Sequence, residues 1–145
     1  MELLLEEIQK LLNLDMNKIF FEVFSDPMLQ EEIIYKIQYE QLFKEGVTEE
    51  NVVLGYYSPY TQSLNPEKRA GTHYTLLDTG AFYESMHITV SDTYFLIDAD
   101  GQKEDKNLFE VYNERGNLLG LTETNMEWLI ERIQEPVSER IAANI

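Results

Sequence analysis

Apolar residues recur at helical spacing through the first 46 positions and then stop doing so, which confines the chain to a mixed architecture. Leu4, Ile8, Leu11 and Leu12 fall at i, i+4, i+7 and i+8, and Met16, Ile19, Phe20 and Val23 repeat the spacing after Asn13-Leu14-Asp15. The pattern predicts two short amphipathic helices or one bent one. Asp26 before Pro27 marks the start of a third helix, with Glu31 and Glu32 suited to its positive end. Ile33, Ile34, Ile37 and Phe43 make its apolar stripe, and Gly46 is placed to end it in a left-handed cap.

From 47 to 75 the periodicity disappears among Gly55, Ser58-Pro59, Asn65-Pro66 and Gly71, predicting a long loop of the kind that carries contacts or function. Around Tyr56, Tyr57, Tyr60, Lys68 and Arg69 the chain is locally uncharged to basic, an island in an otherwise acidic sequence. Residues 76–145 then read as a short helical turn, a β-hairpin and C-terminal helices. Ile88 and Val90 alternate with polar neighbours, Ser91-Asp92 turns the chain, and Tyr94-Phe95-Leu96-Ile97 returns it, giving a hairpin half-buried on its first arm. Asp98-Ala99-Asp100-Gly101 has turn composition, whereas Asn107–Tyr112 fits a strand or a helical turn equally well. Thr124 with Glu127 is a capping box for an amphipathic helix faced by Met126, Leu129, Ile130 and Ile133. Pro136 is expected to interrupt that helix, and Val137 and Ile141 to belong to a second piece. The whole predicts one α+β domain over 1–145: N-terminal helices, a small antiparallel sheet with a hairpin, and a C-terminal amphipathic helix.

Charge narrows the function. Twenty-seven acids against 11 bases give a formal charge of −16, spread along the chain, and such a field repels nucleic acid and anionic membrane. Sequence-specific DNA binding is therefore not expected, although an acidic surface suits the lining of a channel through which DNA slides. The chain has no cysteine, hence neither a disulfide framework nor a thiolate metal site. Its first residues, Met1-Glu2-Leu3-Leu4-Leu5-Glu6-Glu7, do not read as a signal peptide or membrane span, so synthesis in a cytoplasm is expected. His73 and His87 have no acidic residue at ligand spacing, and Asp98-x-Asp100-Gly101 lacks the spacing of a calcium loop. No cofactor is expected.

The segment Leu76-Leu77-Asp78-Thr79-Gly80-Ala81 resembles the active-site turn of retroviral-type aspartic proteases, a resemblance that would make Asp78 catalytic. A glycine-rich flap should follow in that family, yet no glycine lies between Gly80 and Gly101. Read more broadly, Leu76 to Met86 resembles the Leu-x-x-Thr-Gly-x-Leu-x-x-Ser-Ile signature of head-tail connector and tail-completion proteins of tailed bacteriophages. Tyr57-Ser58-Pro59-Tyr60-Thr61, Lys68-Arg69-Ala70-Gly71 and Asn117-Leu118-Leu119-Gly120-Leu121-Thr122 are similar to elements flanking that signature, in the same order, over roughly residues 55–135. Phe82 and Met86 replace the family's aliphatic pair, and the first 45 residues carry no mark of it.

The phage resemblance implies a non-enzymatic virion subunit of the neck or tail, made in the host bacterial cytoplasm. It would form a ring with copies of itself beside the portal or neighbouring connector proteins. Tyr56, Tyr57, Tyr60, Lys68, Arg69 and Tyr94 are the expected contact residues. Asp78, Thr79 and Gly80 then serve as a turn and helix cap, with Phe82 and Met86 packing inward. An acidic DNA-mimic that occupies a partner's basic groove is the alternative that charge alone suggests.

Overall fold

The computed structural model describes residues 2–145, with side chains from Leu5 onward, so the packing of Leu4 lies outside the described residues. The architecture is α+β: helices, an irregular middle, two small antiparallel hairpins and a long C-terminal helix.

The N-terminal pattern resolves into α1 (Glu2–Leu12) and α2 (Met16–Phe24). They separate at Asn13-Leu14-Asp15 because Asp15 caps α2, its carboxylate accepting the Lys18 N–H at 3.1 Å. Ile19, Val23 and Phe24 face the core. Phe20, expected on that face, is exposed; Phe24 takes the place because its ring stacks on Phe95 at 4.5 Å. Along α1 the stripe of Leu5, Ile8, Leu11 and Leu12 is present but exposed.

Asp26 caps α3 (Pro27–Tyr35) as expected, accepting the Met28 N–H at 3.0 Å with Pro27 in the first turn. The helix then widens into a π-helical run, Lys36–Glu45, which ends at Gly46 with φ 63° and ψ 44°. That widening overturns one expectation. With i→i+5 winding, Leu42 comes beneath Ile37 and is buried, while Phe43 turns outward and is 43% exposed. Tyr35, Tyr39 and Phe43 instead form an outer ladder with ring separations of 5.3 and 6.0 Å.

The stretch predicted as a loop contains a short helix, α4 (Pro59–Leu64), capped by Ser58. Its two arms are joined by the Tyr56–His73 bridge and by the Tyr57 N–H to Thr72 O and Tyr74 N–H to Gly55 O bonds, both 2.9 Å. A one-turn helix, α5 (Ala81–Glu84), precedes strands β1 (His87–Val90) and β2 (Phe95–Asp98). These pair antiparallel with Ile88 opposite Ile97 and Val90 opposite Phe95, and all four side chains pack on the core, so both arms are half-buried. A second hairpin, β3 (Gln102–Lys103) with β4 (Lys106–Asn107), leads into α6 (Leu108–Val111), so the ambiguous segment is strand at Asn107 and helical from Leu108. Asn107 caps it, accepting the Phe109 N–H at 2.9 Å.

The last helix, α7 (Glu123–Ala143), departs from expectation in three ways. Its cap is Thr122 rather than Thr124, with the Thr122 hydroxyl accepting the Asn125 N–H. Its inner face is Asn125, Leu129, Ile133, Val137 and Ile141, with Met126 and Ile130 exposed. It also runs unbroken through Pro136, because the face on both sides of the proline is held, and α7 packs against α2. Arg132 pairs with Glu32 at 2.7 Å and Arg140 with Glu22 at 3.5 Å, fastening α7 to α3 and α2.

One contiguous core runs from Ile19 to Leu129 and includes Leu29, Ile33, Ile37, Leu54 and Leu118. Within it lies a buried amide, Gln41, which is 1% exposed. Its Oε1 accepts from the Thr122 N–H at 2.9 Å and the Asn125 side chain at 2.8 Å, and its Nε2 donates to Gly120 O at 2.8 Å. These bonds tie the start of α7 to the π-helical run.

Candidate functional site

The segment from Thr75 to Met86 is a sharply turned connection between the middle stretch and β1. Leu76 adopts φ 58°, a left-handed conformation that β-carbon crowding makes unfavourable for leucine, and the Thr75 hydroxyl supports the turn by accepting the Leu77 N–H at 3.2 Å. Gly80 has φ 88°. A β-carbon there would sit 3.7 Å from its nearest neighbour, Glu84 Oε1, so backbone conformation and not close approach is what calls for glycine. The Thr79 hydroxyl accepts the Ala81 N–H at 3.3 Å at the start of α5. Phe82 and Met86 are buried, Phe82 with its edge toward Phe109 at 5.9 Å. The Tyr83 hydroxyl donates to Thr75 O, closing the turn on itself, and burial pushes that phenol's pKa up.

Asp78 does not serve as a cap. Its carboxylate is drawn to Lys103 at 2.6 Å and stands 3.7 Å from Lys68. The hydrogen bond and charge of Lys103, with the charge of Lys68, hold its pKa below the ordinary carboxylate value of 3.8. An aspartic protease needs the reverse arrangement, two carboxylates that share a proton because they repel. What this carboxylate can do chemically is hold two lysines in place.

Those lysines line an open, solvent-facing cavity of about 410 Å³ between α4, residues 74–78, the β3–β4 hairpin and α6. Lys106, Arg115, Tyr57, Tyr74 and Tyr112 complete its polar and aromatic wall. Tyr57 and Tyr74 meet edge to face at 4.8 Å, and Lys68 Nζ lies 5.8 Å from the centre of the Tyr57 ring. Burial raises the Tyr112 phenol, and the neighbouring Tyr74 and Tyr57 add to the effect, so the hydroxyl is a donor across the physiological range.

The structure thus divides the residues singled out from the sequence. Tyr57 and Lys68 turn toward the cavity with Asp78. Tyr56, Tyr60 and Tyr94 stand outward, 59%, 73% and 64% exposed, and Arg69 is exposed as well. Tyr94 sits at the tip of the β1–β2 hairpin beside Phe20 and Phe21, in an apolar groove that shares no lining residue with the Asp78 cavity. Sequence reasoning missed Lys103, Lys106 and Arg115, which come from a hairpin and a 3₁₀ turn with no common motif. It also missed the Tyr35-Tyr39-Phe43 ladder, whose i, i+4, i+8 spacing was a signal.

The carboxylates of Asp98 and Asp100 accept the N–H groups of Ala99 and Gln102 at 2.8 and 3.0 Å, as turn residues do. Among the described residues no group of three or more His, Asp or Glu is placed to hold a metal ion, and no helix is long and apolar enough to cross a membrane. Comparisons with protein-family models, with curated proteins and with solved structures find no match.

Proposed function

We propose that this chain is a non-enzymatic structural subunit of a tailed-phage particle, a head-tail connector or tail-completion protein that forms a ring with copies of itself around the DNA channel. The observation that carries this proposal is apolar surface left uncovered in separate places. Leu5, Ile8, Leu11 and Leu12 are exposed along α1, Tyr35, Tyr39 and Phe43 along the π-helical run, and Tyr56, Tyr60 and Tyr94 on loops. Scattered apolar residues are ordinary on a protein surface, but stripes at helical spacing are a mark of contact surfaces. Closing a ring requires one patch to meet a different patch on the next copy. Separate patches on one subunit suit that geometry.

On this proposal Tyr56, Tyr60, Arg69 and Tyr94 lie at contacts with the next copy or with portal and neck proteins, where aromatic and arginine side chains dominate binding. The charge of −16 keeps DNA mobile within the channel instead of holding it. The subunit belongs to the neck or tail of the virion after synthesis in the host bacterium. The order of the motifs over residues 55–135 is the second support.

Inactivating the gene in its phage tests the proposal. The expected result is heads and tails that fail to join, or heads that lose packaged DNA, seen by negative-stain electron microscopy. Wild-type protein supplied in trans restores joining, and protein carrying Tyr56→Glu, Tyr60→Glu and Tyr94→Glu does not. Intact, infectious particles made without the protein would refute it.

A further inference from the structure

The cavity beside Asp78 inverts the charge of the molecule around it. Lys68, Lys103, Lys106 and Arg115 line it against a single carboxylate, in a chain whose acids outnumber its bases 27 to 11. Lys103 and Lys68 engage Asp78, whereas Lys106 and Arg115 have no ion-pair partner among the described residues. A concave site lined by one sign of charge concentrates ligands of the other. The remaining wall is aromatic and aliphatic: Tyr57, Tyr74 and Tyr112 with Leu54, Leu76 and Leu108.

We propose that this cavity binds a small phosphate-bearing ligand that carries a planar ring, a mononucleotide by chemical class. The phosphate lies against Arg115 and Lys106, and the ring against the tyrosine wall. A guanidinium presents a fork of donors that matches two phosphate oxygens, and a lysine beside it adds a compact charge. Aromatic side chains accept any nucleobase by stacking, with no need for a base-specific pattern. Ligand sites span roughly 300–1,000 Å³, so about 410 Å³ admits a ligand of this size. The net acidity is no obstacle to a small anion, because charges beyond a screening length of about 8 Å at physiological salt contribute little compared with cations in the cavity wall. A carboxylate-bearing segment of a second copy would satisfy the cations but leave the tyrosine wall without a partner.

The inference is independent of the role in a virion, and titration calorimetry of the full chain with adenosine monophosphate tests it. Saturable binding of one molecule per chain is expected, with inorganic phosphate at least about tenfold weaker because the stacking is lost. Lys106→Ala and Arg115→Ala are each expected to weaken binding about tenfold, the order of one charged hydrogen bond. Lys10→Ala on α1 should leave it unchanged. A 5′-phosphorylated oligonucleotide separates a free nucleotide from a strand end and is expected to bind more weakly than the monophosphate. The proposal is overturned by absence of binding, by equal affinity for phosphate alone, by insensitivity to both cavity substitutions, or by tighter binding of the oligonucleotide. Self-association abolished by the same substitutions, without nucleotide binding, would assign the cavity to carboxylates of a second copy instead.

Discussion

Replacing Gln41 with alanine removes one side chain but strands three partners. Gly120 O loses its donor, and the Thr122 N–H and the Asn125 amide lose their acceptor. Gly120 is half-buried, so water can replace what its carbonyl loses. Thr122 and Asn125 are 7% and 5% exposed, so their donors stay unpaired. Each buried, unsatisfied group costs about 1–3 kcal/mol, which puts the loss near 4 kcal/mol for the two. Small proteins unfold in urea with a slope of about 1–3 kcal/mol per molar, so the midpoint should fall by about 2 M. Far-ultraviolet circular dichroism follows the unfolding, with Trp128 fluorescence as a second probe on the helix that the clamp anchors. Gln38→Ala removes a single bond, from its side chain to Tyr83 O at 2.7 Å, and should cost about 1 kcal/mol. Gln41→Ala combined with Asn125→Ala should cost less than the sum of the two, since they share a bond. A loss below about 1 kcal/mol for Gln41→Ala, or strict additivity of the pair, would show that the network does not anchor α7.

Three further outcomes follow from particular positions. Gly46→Ala forces φ 63° on a residue with a β-carbon and brings that carbon to 2.6 Å from Tyr74 O, so a loss of about 1–3 kcal/mol is expected, read as a lower thermal midpoint. Pro136→Ala restores an N–H facing Arg132 O in the middle of α7, and should raise the midpoint by an amount worth about 1–3 kcal/mol; an unchanged or lower midpoint contradicts the account of that helix. Asp78 titrates below its ordinary value of 3.8 in the folded chain, so its pairing stabilises at pH above that value and the benefit disappears as pH falls through the lowered one. Because the carboxylate is exposed, the wild type should exceed Asp78→Asn by under about 1 kcal/mol at neutral pH in urea unfolding, and an advantage that grows on acidification would contradict the ion pair.

The features that could be read from sequence are those decided within a few residues. Asp26 caps α3 because its carboxylate reaches an N–H two positions on, Gly46 ends the run in a left-handed conformation that glycine adopts without strain, and the β1–β2 hairpin follows from alternation around a short turn. Where distant residues decide, local patterns mislead. Thr122 and Thr124 are both plausible caps, and the choice falls to Thr122 because Gln41, 81 positions away, engages its N–H. Phe43 and Leu42 exchange places because of π winding, which apolar spacing alone does not announce. The cavity cations are invisible for the same reason: Lys68, Lys103, Lys106 and Arg115 are dispersed along 48 positions and meet only through the packing of α4, the β3–β4 hairpin and α6.

The Asp78-Thr79-Gly80 triplet shows how far context changes chemistry. As three residues it has the composition of a protease turn, and its glycine does adopt a left-handed φ. What makes an aspartate catalytic in that setting is a second carboxylate that forces the two to share one proton. Here the neighbours are ammonium groups, and they stabilise the charged form that a shared proton would remove. The same carboxylate, placed between Lys68 and Lys103, holds the side of a basic cavity together. Removing its charge would take the counter-ion from Lys68 and Lys103, an exposed and screened pairing whose loss costs the fold little but leaves the lining of that cleft wholly basic.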